Sequence, residues 1–126
     1  LLGEVTIERR FGTNVPPVNV DSEQIRRVFM NLVDNAVEAM NRKGTIVIQT
    51  QYDAAARLAR VIVADDGPGI PAGERDKLFL PYYSTKKRGS GLGLAIVRRI
   101  VAEHRGSIEV MDNTPRGTRF VVELPC

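Results

Sequence analysis

Residues 21–40, DSEQIRRVFMNLVDNAVEAM, decide the fold. Asp21 is followed three residues later by Gln24, a capping-box signal for a helix start. Ile25, Val28, Phe29, Leu32, Val33, Ala36, Val37 and Met40 then recur in steps of three and one. That is one apolar face of a helix that must lie on a partner layer. Gly44 is expected to end it.

Working outward, Val5, Ile7 and Phe11 sit at odd positions among polar neighbours, a half-buried strand pattern, and Pro16-Pro17 then breaks regular structure. Downstream, residues 45–52 alternate (Ile46, Ile48, Tyr52) and residues 58–64 form a second strand. The joint Asp53-Ala-Ala-Ala predicts a hairpin. Residues 65–91 are rich in Gly, Pro and charge, with one short helix expected around 73–80. A loop that long in a compact domain is commonly a functional lid. A helix over about 92–105 follows, with Leu92, Ile96, Val97, Ile100 and Val101 on one face and Gly106 as its cap. Ile108/Val110 and Phe120/Val122/Leu124 predict a final hairpin across 112–117. The order predicts an α/β fold, a two-layer α/β sandwich whose mixed sheet has about five strands, with about three helices on one face.

The chain is one domain long. Its net charge of +3 comes from mixed acids and bases. No stripe of Lys/Arg is interleaved with aromatics, which argues against a nucleic-acid partner. Cys126 is the single cysteine, so no internal disulfide forms and a reducing, cytoplasmic setting fits. No apolar run approaches the ~18–20 residues that span a bilayer, and no signal peptide is visible. Direct membrane contact by this domain is therefore not expected. The start at Leu1, without Met, reads as residues 1–126 forming a single domain of a longer protein.

Three clusters could carry chemistry. Asn31 and Asn35 lie four apart on the first helix and stack on one side. At ~100° per residue, Asn35 falls about 20° from Val28, at the shoulder of the apolar face. Taken alone, the pair reads most simply as polar surface. Amide oxygens there would also suit Mg²⁺, which shares its ligand shell with phosphates and water. Asp65-Asp66-Gly67-Pro68-Gly69-Ile70 follows a strand directly. Glycines there permit a tight turn or close approach to a ligand, and an acid at a strand end can accept from an exocyclic amine. The loose dinucleotide fingerprint over Gly67, Gly69 and Ala72 is discounted, because two carboxylates would flank a pyrophosphate. Gly89-Ser90-Gly91-Leu92-Gly93-Leu94 opens the last helix, where N–H groups and the helix dipole suit a triphosphate. A lid hinge explains the same glycines, and the Gly-Lys-Ser/Thr ending of a P-loop is missing.

In this order the clusters cease to be independent. The chain resembles the ATP-binding catalytic domain of sensor histidine kinases, in the superfamily that also holds gyrase and MutL. VFMNLVDNAVEAM (28–40) is similar to the family's N box, DDGPGI (65–70) to its first glycine box and LFLPYYSTK (78–86) to its F box. GSGLGL (89–94) is similar to its second glycine box and GTRF (117–120) to its closing strand. YYSTKK and NAVEAM lean toward the NtrY/NtrB branch.

The resemblance implies that Asn35 ligates Mg²⁺ bridging the ATP phosphates and that Asn31 sits near the γ-phosphate. It implies that Asp65 accepts from the adenine amine, with Thr118 near the same ring edge and Gly67, Gly69 and Ile70 shaping that pocket. Gly89, Gly91, Leu92, Gly93 and Leu94 would cradle phosphates, and Lys86 or Lys87 would reach one, though a solvated loop explains either lysine equally. Phe79 and Tyr82 would anchor the lid or simply pack. Many members carry Lys where this chain has Glu38, so phosphate charge would fall to Mg²⁺, backbone N–H groups, and Lys86 or Arg42.

The implied reaction is γ-phosphoryl transfer to a histidine on a dimerisation domain of the same, homodimeric protein, and onward to a response regulator. Superfamily ATPases carry a Glu at the position of Asn31, and Asn cannot serve as a base for water, so slow hydrolysis is expected. His104, the only histidine, falls in the last turn of a helix and reads as structural rather than as the acceptor. Two rival readings are an anti-sigma-factor-type serine kinase and a nucleotide-binding regulatory module without transfer activity. Glu38 is the feature that favours the latter.

Overall fold

The computed structural model describes residues 4–81 and 93–126. In chain order these form β1 (Glu4–Arg10), α1 (Ser22–Ala39), β2 (Lys43–Asp53), β3 (Leu58–Asp65), α2 (Ala72–Arg75), α3 (Gly93–Glu103), β4 (Ser107–Asp112) and β5 (Thr118–Pro125). The strands make one mixed sheet in the order β1-β2-β3-β5-β4. β1 and β2 are parallel and therefore need a crossover, which α1 supplies. The remaining neighbours are antiparallel. The expected sandwich and both hairpins are present.

The core lies between the sheet and the helices. Val28, Leu32, Ala36 and Val37 of α1 and Val97, Ile100 and Val101 of α3 are buried against Ile46, Val63, Phe120 and Val122 of the sheet. Because side chains alternate along a strand, the same register puts Ile62, Ala64 and Val121 on the opposite face, in a smaller cluster with Val47 and Met111.

Asp21 caps α1: its Oδ1 accepts from the N–H groups of Glu23 and Gln24, each at 3.1 Å. The reciprocal arm of the capping box comes from elsewhere. The Asp21 N–H donates to His104 Nε2 at 3.1 Å, while His104 Nδ1 lies 2.8 Å from the Ile100 carbonyl. The imidazole thus bolts the end of α3 to the start of α1, with its proton on Nδ1, and the structural reading of His104 holds.

Several local expectations need correction. Gly44 does not end α1, which stops at Ala39. Asn41 and Arg42 take the left-handed turn and Gly44 lies inside β2, pressed against Asp66 and Met40. At the end of α3 the left-handed residue is Arg105 (φ 62°). Gly106 is required for another reason, since a side chain there would meet the Glu123 carbonyl and, at 2.9 Å, Leu124. The short helix spans only Ala72–Arg75 and continues as turns. Val5 packs on the core, but Phe11 lies past the end of the edge strand β1 and is 59% exposed. Leu92 lies outside the described residues.

Candidate nucleotide-binding site

The site is built along one side of α1. Asn31, Asn35 and Ala39 follow at four-residue spacing and so share a side of the helix. They cover about 12 Å of axis at ~1.5 Å per residue. One end of this stripe meets the start of α3, where Asn31 Nδ2 donates to the Gly93 carbonyl at 3.5 Å. The other end meets the loop after β3. A Cβ added at Gly67 would lie 3.3 Å from the Ala39 carbonyl oxygen and 3.0 Å from Asp65 Oδ1. The amides, the carboxylate and the last glycine of the 89–93 run therefore lie on one side of the fold.

Asp65 is the last residue of β3 and only 3% exposed. A carboxylate so buried must be hydrogen-bonded. Its Oδ1 accepts from the Gly67 N–H at 2.9 Å and from the Thr118 N–H at 3.3 Å. Thr118, at 4% exposure, begins β5 beside it. Gly69 adopts φ +83°, with a virtual Cβ 3.4 Å from the Gly117 carbonyl. Only a residue free to take a positive φ lets the loop fold back there.

Ile70 and Leu94 are partly buried against the hydrophobic core, so their packing is explained without a ligand. Phe79 also packs: its ring meets Phe120 edge-on at 6.4 Å, and the Arg98 guanidinium lies 5.8 Å from its centroid. Lys86, Gly89, Gly91 and Leu92, with Tyr82 and Lys87, lie outside the described residues.

Three residues at this loop escaped the sequence reading. Asp66 Oδ1 accepts from the Thr45 N–H at 3.1 Å, tying the loop to β2. Asn113 Nδ2 donates to the Asp65 carbonyl at 2.8 Å, and Arg116 Nε to the Gly67 carbonyl at 2.9 Å. Asn113 and Arg116 sit in a segment of turn-forming residues, and Asn in a turn looks the same in sequence whether it serves its own turn or a neighbouring loop.

This arrangement offers a buried acceptor at one end, paired amides along the middle and the positive end of a helix dipole at the other. Residues 20–126 match the family described as histidine kinase-, DNA gyrase B-, and HSP90-like ATPase. The chain belongs to this ATPase family. The chain is 42% identical to the sensory histidine kinase/phosphatase NtrB of Rhodobacter capsulatus over 126 aligned residues, covering 91% of this chain and 35% of that protein. The chain thus spans about a third of the length of that relative. The catalytic domain of histidine kinase ThkA superposes with a TM-score of 0.86 at 35% identity, covering 96% of this chain and 78% of that one. Full-length ShkA in complex with AMPPNP gives a TM-score of 0.85 at 29% identity, covering 96% of this chain and 25% of that one. The fold of this ATPase domain is therefore that of histidine kinase catalytic domains, and the NtrB branch expected from the sequence is represented among its relatives. Among the described residues, no helix is long and apolar enough to cross a membrane.

Proposed function

We propose that residues 1–126 form the ATP-binding catalytic domain of a two-component sensor histidine kinase. On this reading the domain transfers the ATP γ-phosphoryl group to a histidine carried by a dimerisation domain of the same protein. The observation that carries the reading is the stripe on α1, with Asn31 at Gly93 and Ala39 at the Asp65–Gly67 loop. A nucleoside triphosphate laid along it has its base at the carboxylate and its phosphates at the helix start, as dipole and hydrogen-bond chemistry favour.

The residues fit such a guest. Asp65 accepts from the exocyclic amine of adenine, with Thr118 at the ring edge. At Gly67 a Cβ would crowd Asp65 Oδ1 at 3.0 Å, and Gly67, Gly69 and Ile70 shape the adenine pocket. Asn35 supplies an amide oxygen to Mg²⁺. Among the described residues no three His, Cys, Asp or Glu side chains could hold a metal ion, so a hard cation here relies on an amide, the phosphates and water. Mg²⁺, when bound, neutralises phosphate charge. Asn31 stands by the γ-phosphate and cannot act as a base for water, so the domain keeps its phosphoryl group for a protein acceptor. Gly89, Gly91, Leu92, Gly93, Leu94 and Lys86 complete the phosphate end.

In the transfer, the acceptor nitrogen bonds to the γ-phosphorus as the bond to the β–γ bridging oxygen breaks, and ADP leaves. Positioning and charge neutralisation are the chief demands of such a step. His104 is committed to the α1–α3 junction, so the acceptor comes from outside this domain. A response regulator then takes the phosphoryl group, in the cytoplasm where ATP is available. The structure of ThkA in complex with response regulator protein TrrA supports that partner class; it superposes with a TM-score of 0.81 at 33% identity, covering 96% of this chain and 34% of that one.

The test is incubation with γ-labelled ATP, Mg²⁺ and a separately produced histidine-bearing helical hairpin. Acid-labile label on the hairpin is expected. Acid-stable label on a serine would turn the reading into a serine kinase, and tight ATP binding with no transfer would leave a regulatory module.

A further inference from the structure

We propose that the β4–β5 turn is a clamp that positions the base-recognising carboxylate. Asn113 and Arg116 hold the main-chain carbonyls of the Asp65–Gly67 loop and thereby set discrimination for the 6-amino group of the base. The inference rests on the assignment of Asp65 to adenine made above.

The β3–β5 ladder ends at the pair Ala64 and Arg119. One residue further, ordinary ladder bonding is replaced by a different set. The Thr118 N–H goes to the Asp65 carboxylate at 3.3 Å, and the Asp65 carbonyl is taken at 2.8 Å by the Asn113 side chain. Arg116 Nε then takes the Gly67 carbonyl at 2.9 Å. The turn is itself closed by the Asn113 N–H on the Gly117 carbonyl at 3.0 Å, and Asp112 at its base is bonded to Arg75 of α2. Gly117 lets the two segments touch: it has φ +106°, and any Cβ would run into the Asp65 carbonyl and, at 2.9 Å, the Asp66 Cα.

This arrangement matters because a hydrogen bond weakens steeply once its angle falls below about 120°. A carboxylate at the point where a strand turns into a loop aims correctly only if its main chain is fixed. Asn113 and Arg116 bond main-chain carbonyls, while the Asp65 carboxylate is bonded by the Gly67 and Thr118 N–H groups. The clamp therefore acts through Asp65, as a pair of positioning residues.

The test compares Mg-ATP with the Mg-triphosphate of purine riboside, which lacks only the 6-amino group, by calorimetric titration of the full chain. Asn113→Asp keeps the size and removes the donor. Arg116→Lys keeps the charge and removes Nε. Any general effect of added or moved charge acts on both nucleotides and cancels in their ratio. The wild type is expected to prefer ATP by about tenfold, the scale of one hydrogen bond to a charged group. Each variant is expected to bring the ratio below about threefold by weakening ATP while leaving the analogue within about twofold. Arg116→Lys leaves the turn's own hydrogen bond in place, so it supplies the answer if Asn113→Asp does not fold. Equal weakening of both nucleotides, or an unchanged ratio, overturns the clamp. A wild type with no preference for ATP overturns instead the assignment of Asp65 to adenine.

Discussion

Replacing Asp65 with Asn exchanges one carboxylate oxygen for an amide NH₂ without changing the size of the side chain. Asp65 is 3% exposed, and its Oδ1 accepts from the N–H groups of Gly67 and Thr118 at 2.9 and 3.3 Å. On the proposed reading the other oxygen accepts from the adenine amine; in the variant the amide oxygen keeps both N–H bonds, so an NH₂ donor replaces that acceptor. A hydrogen bond to a charged group contributes about 1.5–3 kcal/mol, and at ~1.4 kcal/mol per factor of ten the dissociation constant for Mg-ATP rises about tenfold to a hundredfold. The fold should suffer less. The two N–H bonds lose their charge assistance, about 1 kcal/mol each, and relief of burying a charge offsets part of that loss. A fall in Tm of about 3–6 °C is expected for a net change near 1 kcal/mol. Calorimetric titration with Mg-ATP alongside a thermal melt reads both quantities. Wild-type affinity in Asp65→Asn refutes the reasoning, and so does an affinity loss no larger than the melting shift explains.

Three further outcomes follow from the same geometry. Asn35→Ala should remove most of the gain in ATP affinity that Mg²⁺ brings, about tenfold or more, while binding measured in EDTA stays unchanged; titrations with and without the metal check this. Gly67→Ala should raise the ATP dissociation constant several-fold, because its Cβ meets Asp65 Oδ1 at 3.0 Å and both the Ala39 carbonyl and Met40 Cγ at 3.3 Å; a fluorescent-nucleotide displacement assay reads it. His104→Ala removes the ring that joins the Asp21 N–H to the Ile100 carbonyl. It should cost about 1–2 kcal/mol of stability in a denaturant melt and leave ATP affinity unaltered.

The elements of this fold were legible because their apolar periods are strong. The α1 stripe of Val28, Leu32 and Ala36 and the alternation through Ile46 and Ile48 are set by which face meets the core. Element ends were less legible, since Asn41, Arg42 and Arg105 take left-handed turns expected of glycine; local capping bonds, from the Arg42 N–H to the Val37 carbonyl and from the Gly106 N–H to the Val101 carbonyl, close those helix ends without it. At the site, Asp65 and the Asn31–Asn35 pair were not decisive alone, since a turn and a polar surface explain them equally simply; the order of the motifs along the chain singled them out. The Asn113 and Arg116 contacts were invisible, because they depend on two segments 48 and 49 residues apart meeting in space. His104 was read as structural from its place near a helix end, but its bond across 83 residues to Asp21 required the fold.

On the proposed reading one magnesium nucleotide lies along α1 from the 65–67 loop to Gly93. An amide-resolved NMR titration of the full chain with Mg-AMPPNP tests it most directly. The largest shifts are expected on the side-chain amides of Asn31 and Asn35 and the backbone amides of Gly67, Thr118 and Gly93. Shifts gathered instead on the Ile62–Val121 face of the sheet, or none at saturating nucleotide, would contradict it.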